Sequence, residues 1–163
     1  RQKNLPHDLI LPFGWQAAMM FWKYFAWSPR PFKPNQERTE SWNRGAYLAQ
    51  ALAHCGECHT PRNLLGALKS EMHYAGSKEG PEGKLAPNIT PDKKTGIGNW
   101  SKVDVSYFLR TGMKPDGDDS QGLMGEVIDL GYQYLLEEDL DALAEYLVSL
   151  PPISNKLRQE KSK

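Results

Sequence analysis

Hydrophobic residues along this chain recur at helical spacing, and nowhere do they alternate with polar residues over a strand length. From Phe13 to Trp27 the apolar residues run nearly all round a helical wheel. A helix of that kind has no solvent face of its own and needs a cover. Either it wraps over the domain that follows, or it docks on a partner subunit, another domain or a membrane surface through residues 9–27. The whole apolar stretch from Leu9 is interrupted by Pro12, Gly14, Gln16 and Lys23, too much for a confident membrane span. A second helix is expected from about Ser41 to His54, with Leu48, Ala51, Leu52 and Cys55 as its apolar stripe. Residues 76–98 read as a long loop rich in Gly, Pro, Asn and Lys. Ser101 is a good N-cap for a helix ending near Gly112, with Val105, Phe108 and Leu109 on one face. Residues 114–122 read as an acidic, glycine-containing loop. A last helix runs from Glu137 to about Leu150, with Leu140, Leu143, Ala144 and Leu147 inward and acidic residues in its first turn. Pro151-Pro152 ends it.

The pattern predicts an all-α domain of short helices and long loops at residues 41–152. Before it lies an arm or linker, residues 1–40, and after it a charged tail, residues 153–163. The arm carries Trp15, Trp22 and Trp27, and prolines punctuate it. Long loops on so little secondary structure need something large at the centre to hold them. The chain starts at Arg1, without an initiator Met or a signal peptide, so the expectation is a removed leader or a piece of something longer.

Composition narrows the function. Lys plus Arg is 20 and Asp plus Glu is 20, a net charge of zero, which argues against a nucleic-acid partner. Two cysteines cannot staple a disulfide scaffold or fill a four-cysteine metal site. Both fall in Cys55-Gly56-Glu57-Cys58-His59. A C-x-x-C-H run is the attachment sequence of a c-type haem. Two thiols at this spacing can reach two vinyl groups on one porphyrin edge, and the next residue, His59, is carried to the iron. Other readings are a redox dithiol, which would follow a strand in a βαβ unit, half of a zinc site, and chance. No such βαβ unit is visible, and His7, His54 and His73 supply no second pair of zinc ligands at a usual spacing. A six-coordinate haem needs a distal ligand, and the choices are Met, His or an open site. Met124, flanked by Gly122 and Gly125 in an expected loop, is favoured over Met113, Met72 and His73. His54 reads as helix-end structure.

The sequence resembles class I cytochrome c. It is more similar still to the cytochrome c domains of the membrane-associated multihaem subunits of alcohol, aldehyde and gluconate dehydrogenases. The carriers are Trp42-Asn43-Arg44-Gly45-Ala46-Tyr47-Leu48, the run from His54 to Asn63, Ala86-Pro87-Asn88-Ile89-Thr90-Pro91-Asp92, Thr95 to Ser101, Leu109-Arg110-Thr111-Gly112 and Leu150-Pro151-Pro152. The resemblance covers about residues 41–152, and Leu11-Pro12-Phe13 with Trp22-Lys23 resembles the segment linking one haem domain to the next. It implies one covalent haem c on Cys55 and Cys58, with His59 as proximal and Met124 as distal ligand. It implies that the Pro87 carbonyl orients the His59 ring and that Trp100 lies near a propionate, with Arg62 as a further propionate partner. Ile89, Val105, Phe108 and Leu109 would complete the haem contacts. Two departures stand out: Leu136 replaces the usual Ser or Thr before the last helix, and there is one C-x-x-C-H rather than several.

The expected function is one-electron transfer, not catalysis, between a dehydrogenase or quinol donor and an oxidase or another cytochrome. The alternative is a haem enzyme or gas-binding cytochrome with a labile distal ligand. Covalent attachment implies a periplasmic location, and association with the cytoplasmic membrane is compatible with it. Acidic runs at 116–119 and 137–141 could steer a basic partner or simply be solvated.

Overall fold

The first and last helices of the domain are drawn together by matching polar groups on their edges. A computed structural model describes residue 3, residues 14–26 and residues 31–157. Helix α1 is Gln16–Ala26, α2 is Glu40–Tyr47, α3 is Cys55–His59, α4 is Lys102–Thr111, α5 is Gly122–Leu130 and α6 is Glu137–Val148. Thr39 caps α2 by accepting from the Trp42 N–H. The Thr39 and Ser41 hydroxyls then donate to Glu145 on α6 (2.8 and 2.7 Å), and the Trp42 indole N–H donates to Ser149 (2.6 Å). Arg44 forks onto both oxygens of Asp139 at 2.7 and 2.8 Å.

The buried faces largely follow the sequence. Leu140, Leu143, Ala144 and Leu147 are all buried, as are Val105 and Leu109, and Phe108 packs against them. Ser101 closes a capping box with Asp104, and Gly112 ends α4 in the left-handed conformation. Leu136 precedes α6 without a side-chain cap. The expected stripe of the second helix is different. The helix relaxes into a π-turn over Leu48–Leu52, which adds a residue per turn and shifts the register. Ala46, Leu48 and Ala49 are buried, whereas Leu52 is 60% exposed. Met124 lies in the first turn of α5, not in a loop. Among the described residues no strand forms, only isolated bridges such as Ser77–Ala86.

Helix α1 meets the domain along one edge. The Trp22 indole N–H donates to the Leu65 carbonyl, and Trp22, Lys23 and Ala26 share a cleft with Glu57, Arg62 and residues 66–68. Its other face, with Met20, Phe21, Tyr24 and Phe25, is exposed. Phe13 and Trp27, which bound the expected helix, lie outside the described residues, as does the tail from 158. Among the described residues no helix is long and apolar enough to cross a membrane. Residues 31–38 and 153–157 sit on the domain. Phe32 packs on the core, the Asn35 N–H donates to Asn43, and Ile153 and Asn155 bond to the 88–95 loop.

The Arg44–Asp139 fork makes a testable contribution. Hydrogen bonds from Arg44 hold the Asp139 carboxyl below its ordinary range. A depressed folded value means the unfolded chain binds the proton more readily. The pair therefore stabilises fully above about pH 5, and its contribution is lost as the pH falls from about 4, the unfolded value, through the lower folded one. Because Arg44 is half-exposed, Asp139→Asn should cost only about 1 kcal/mol at pH 7. Urea titrations at pH 7 and pH 3 should show that difference at pH 7 and a smaller one at pH 3. An equal difference at both would refute the assignment.

Candidate haem-binding site

The chain reaches the site through a local reversal. After the π-turn, His54 adopts a left-handed conformation (φ 50°) and starts the single turn α3. That turn is the C-x-x-C-H run itself. It places Cys55 against the core, Cys58 at partial exposure and His59 almost fully buried. His54 is thus the helix-end residue the sequence suggested.

His59 is held at two points. Its Nδ1 lies 2.7 Å from the Pro87 carbonyl. A carbonyl only accepts, so Nδ1 carries the proton and the lone pair is left on Nε2. The His59 backbone carbonyl accepts from the Gly76 N–H at 2.7 Å. Burial pushes the imidazole below its ordinary pKa, against the opposing pull of the Pro87 carbonyl. The ring is therefore neutral at pH 7, the form that binds a metal.

The thiols are unpaired, and burial raises both of them. The Tyr132 hydroxyl, 4.0 Å from the Cys55 sulfur, acts in the other direction, and Glu57 adds to the rise at Cys58. A redox dithiol needs a thiol whose pKa is lowered, and neither cysteine is in that state. Among the described residues no cluster of three or more His, Cys, Asp or Glu side chains could hold a metal ion. The donor set is therefore two protonated thiols at the surface of an apolar core and one neutral, oriented imidazole. These suit an iron porphyrin attached through thioethers better than a bare ion.

The other expected contacts converge on the same apolar core. Val105 and Leu109 are buried in it, and Ile89, Trp100, Phe108 and Met124 pack on it beside Cys55. Trp100 meets Phe108 edge-on, with ring centroids 5.3 Å apart. Arg62 stands apart. It is spent on Glu57 (2.7 Å) and on the Gly66 carbonyl (2.8 Å), on the exposed side of α3. The structure adds Tyr132 at Cys55, and also Tyr74, which is wholly buried with no hydrogen-bond partner for its hydroxyl. Burial raises the pKa of this hydroxyl, and the neighbouring Tyr146 and Cys55 add to the rise. Neither tyrosine carries a local sequence signal, since both lie in stretches without clear periodicity.

No protein-family model matches the chain. Individual proteins do. The cytochrome subunit of fructose dehydrogenase from Gluconobacter japonicus is 41% identical over 145 residues, 88% of this chain and 29% of that protein. A diheme c-type cytochrome from Cereibacter sphaeroides is 40% identical over 149 residues, 91% of this chain and 48% of that protein. The gluconate 2-dehydrogenase cytochrome c subunit from Pantoea cypripedii is 33% identical over 156 residues, 91% of this chain and 35% of that protein. The chain thus spans less than half the length of each of these relatives. With the C-x-x-C-H turn, the oriented histidine and a helical fold without strands among the described residues, the match shows that this chain is, over most of its length, a relative of c-type cytochromes that include the cytochrome subunits of dehydrogenases.

Proposed function

We propose that the chain is a one-electron carrier within a dehydrogenase system, holding one haem c on Cys55 and Cys58 with His59 and Met124 as iron ligands. The observation that carries the reading is His59, neutral, buried and fixed through Nδ1 to Pro87 (2.7 Å), directly after two unpaired cysteines. A haem c so held supplies a reversible one-electron centre. The residues do the rest. Pro87 and Gly76 fix the direction of the imidazole. Val105, Phe108 and Leu109 exclude water from the ring's surroundings. Met124, on the first turn of α5, supplies a soft thioether from the far side of the sequence, which favours the reduced state over a second nitrogen ligand. Were His59 and Met124 both to hold the iron, the haem would supply electron transfer rather than a site for substrate.

The relatives' names point to a dehydrogenase as donor, and an oxidase or a second cytochrome suits the acceptor side. A periplasmic location goes with covalent attachment of this kind and belongs to the same proposal. The uncovered aromatic face of α1 fits a surface that a larger assembly covers.

The test is optical. The intact chain should carry the mass of one haem, and its oxidised form should show the weak absorption band of methionine–iron ligation. Met124→Leu should keep the haem but abolish that band and lower the potential. A wild-type chain without the band, or a Met124→Leu variant that retains it, would remove Met124 from the iron.

A further inference from the structure

The chain does not trail away after Pro151-Pro152. Ile153 and Asn155 enter a buried polar network beside His59. The Asn88 side-chain N–H groups donate to the Ile153 carbonyl (2.7 Å) and to Thr95 (3.0 Å). The Thr90 hydroxyl donates to the Asn88 side-chain oxygen (2.7 Å) and accepts from the Ile153 N–H (3.1 Å). The Asn155 N–H donates to the Thr95 hydroxyl (3.0 Å), and its side-chain amide donates to the carbonyls of Ala75 (3.0 Å) and Gly76 (3.3 Å). Asn88 and Thr90 are 2% and 1% exposed. These bonds join two loops. One contains Pro87, whose carbonyl accepts from the His59 Nδ1–H. The other contains Gly76, whose N–H holds the His59 backbone carbonyl. The loops touch tightly. At Gly76 (φ +85°), a Cβ would lie 2.7 Å from Asn88 N, Pro87 C and the Leu157 side chain, so only glycine fits.

We infer that Ile153–Asn155 is a positioning strap for the proximal histidine. Asn155 and Asn88 act as positioning residues that set how strongly Pro87 holds the His59 N–H. The inference rests on the proposed haem ligation. The physical link is short. A firm Nδ1–H···O bond makes Nε2 a better donor, and a better donor favours the oxidised, more positive iron. Loosening the strap lets the Pro87 carbonyl drift and weakens that bond. The reduced state then gains.

The experiment is a mediated redox titration of the haem-loaded chain, followed by absorbance at a fixed solution potential. Asn155→Ala should raise the ratio of reduced to oxidised protein about threefold or more, while Ser154→Ala, whose exposed side chain lies outside the network, should leave it unchanged. A residue that only stabilised the fold would lower the melting temperature without moving the ratio. Should Asn155→Ala not accumulate, Asn155→Ser, which leaves a hydroxyl donor in place of the amide that reaches the Ala75 and Gly76 carbonyls, should shift the ratio in the same direction by less. A loaded Asn155 variant with the wild-type ratio overturns the strap while leaving the haem reading intact. A wild-type chain that takes up no covalent haem overturns the haem reading itself.

Discussion

Gly45→Ala should lower the stability of the domain by about 3 kcal/mol, at the upper end of overpacking costs. That corresponds to about 10 °C in Tm for a domain of this size. Gly45 lies where α2 crosses α6, and the backbones nearly touch there. A Cβ on residue 45 would sit 1.9 Å from the Ala142 carbonyl oxygen, 2.5 Å from its carbon and 3.0 Å from the Tyr146 Cβ. No rotamer relieves a contact between a Cβ and a backbone carbonyl, so the helices must separate. Separation strains the Arg44 fork on Asp139 and the bonds of Thr39, Ser41 and Trp42 to α6 together. It also opens the layer of Ala46, Ala49, Leu143 and Ala144. Thermal melting followed by circular dichroism measures the loss. A variant melting within two or three degrees of the parent would show that the crossing is looser than this geometry.

That crossing shows what the sequence hides. Gly45 stands in a string that marks the family, yet nothing local says that its hydrogen faces a carbonyl nearly a hundred residues away. Elements whose signals are local were legible. The Ser101–Asp104 box and Gly112 bound α4, and the leucines of α6 repeat with the helical period, so one window of sequence contains both cause and effect. The C-x-x-C-H run was legible for the same reason, because attachment chemistry needs its residues within five positions. Around Met124 the glycines at 122 and 125 suit a loop and depress helical propensity, yet α5 forms there. Its Ile128 is buried against the rest of the domain, and that packing decides the matter. The π-turn at Leu48–Leu52 was equally hidden, since it answers the need to present α3 rather than any pattern of its own. The strap is the furthest from view. Ile153 and Asn155 look like the start of a polar tail, and only the partners at Asn88, Thr90 and Gly76 give them a role.

Replacing both cysteines, Cys55→Ala with Cys58→Ala, should produce the largest change of all: a chain whose haem is extracted completely by acidified organic solvent and whose stability depends on haem concentration. The thioethers do more than retain the group. While tethered, the haem stays at an effective concentration of about millimolar even when the chain unfolds and refolds. Untethered, at about micromolar free haem, it is a thousandfold more dilute, which corresponds to about 4 kcal/mol of lost stabilisation. His59 remains neutral and oriented by Pro87 and Gly76, so the variant should still bind added haem with red-shifted absorption, reversibly. The two cysteines should also differ as single variants. Cys55 packs on the core and has the Tyr132 hydroxyl beside it, whereas Cys58 sits nearer solvent. Cys55→Ala therefore adds a core defect to the lost thioether and should melt below Cys58→Ala, each retaining haem through one bond. Mass spectrometry after denaturation reads the attachment, and melting at two haem concentrations reads the linkage. A double variant that keeps its haem through extraction would mean that the group is held elsewhere on the chain.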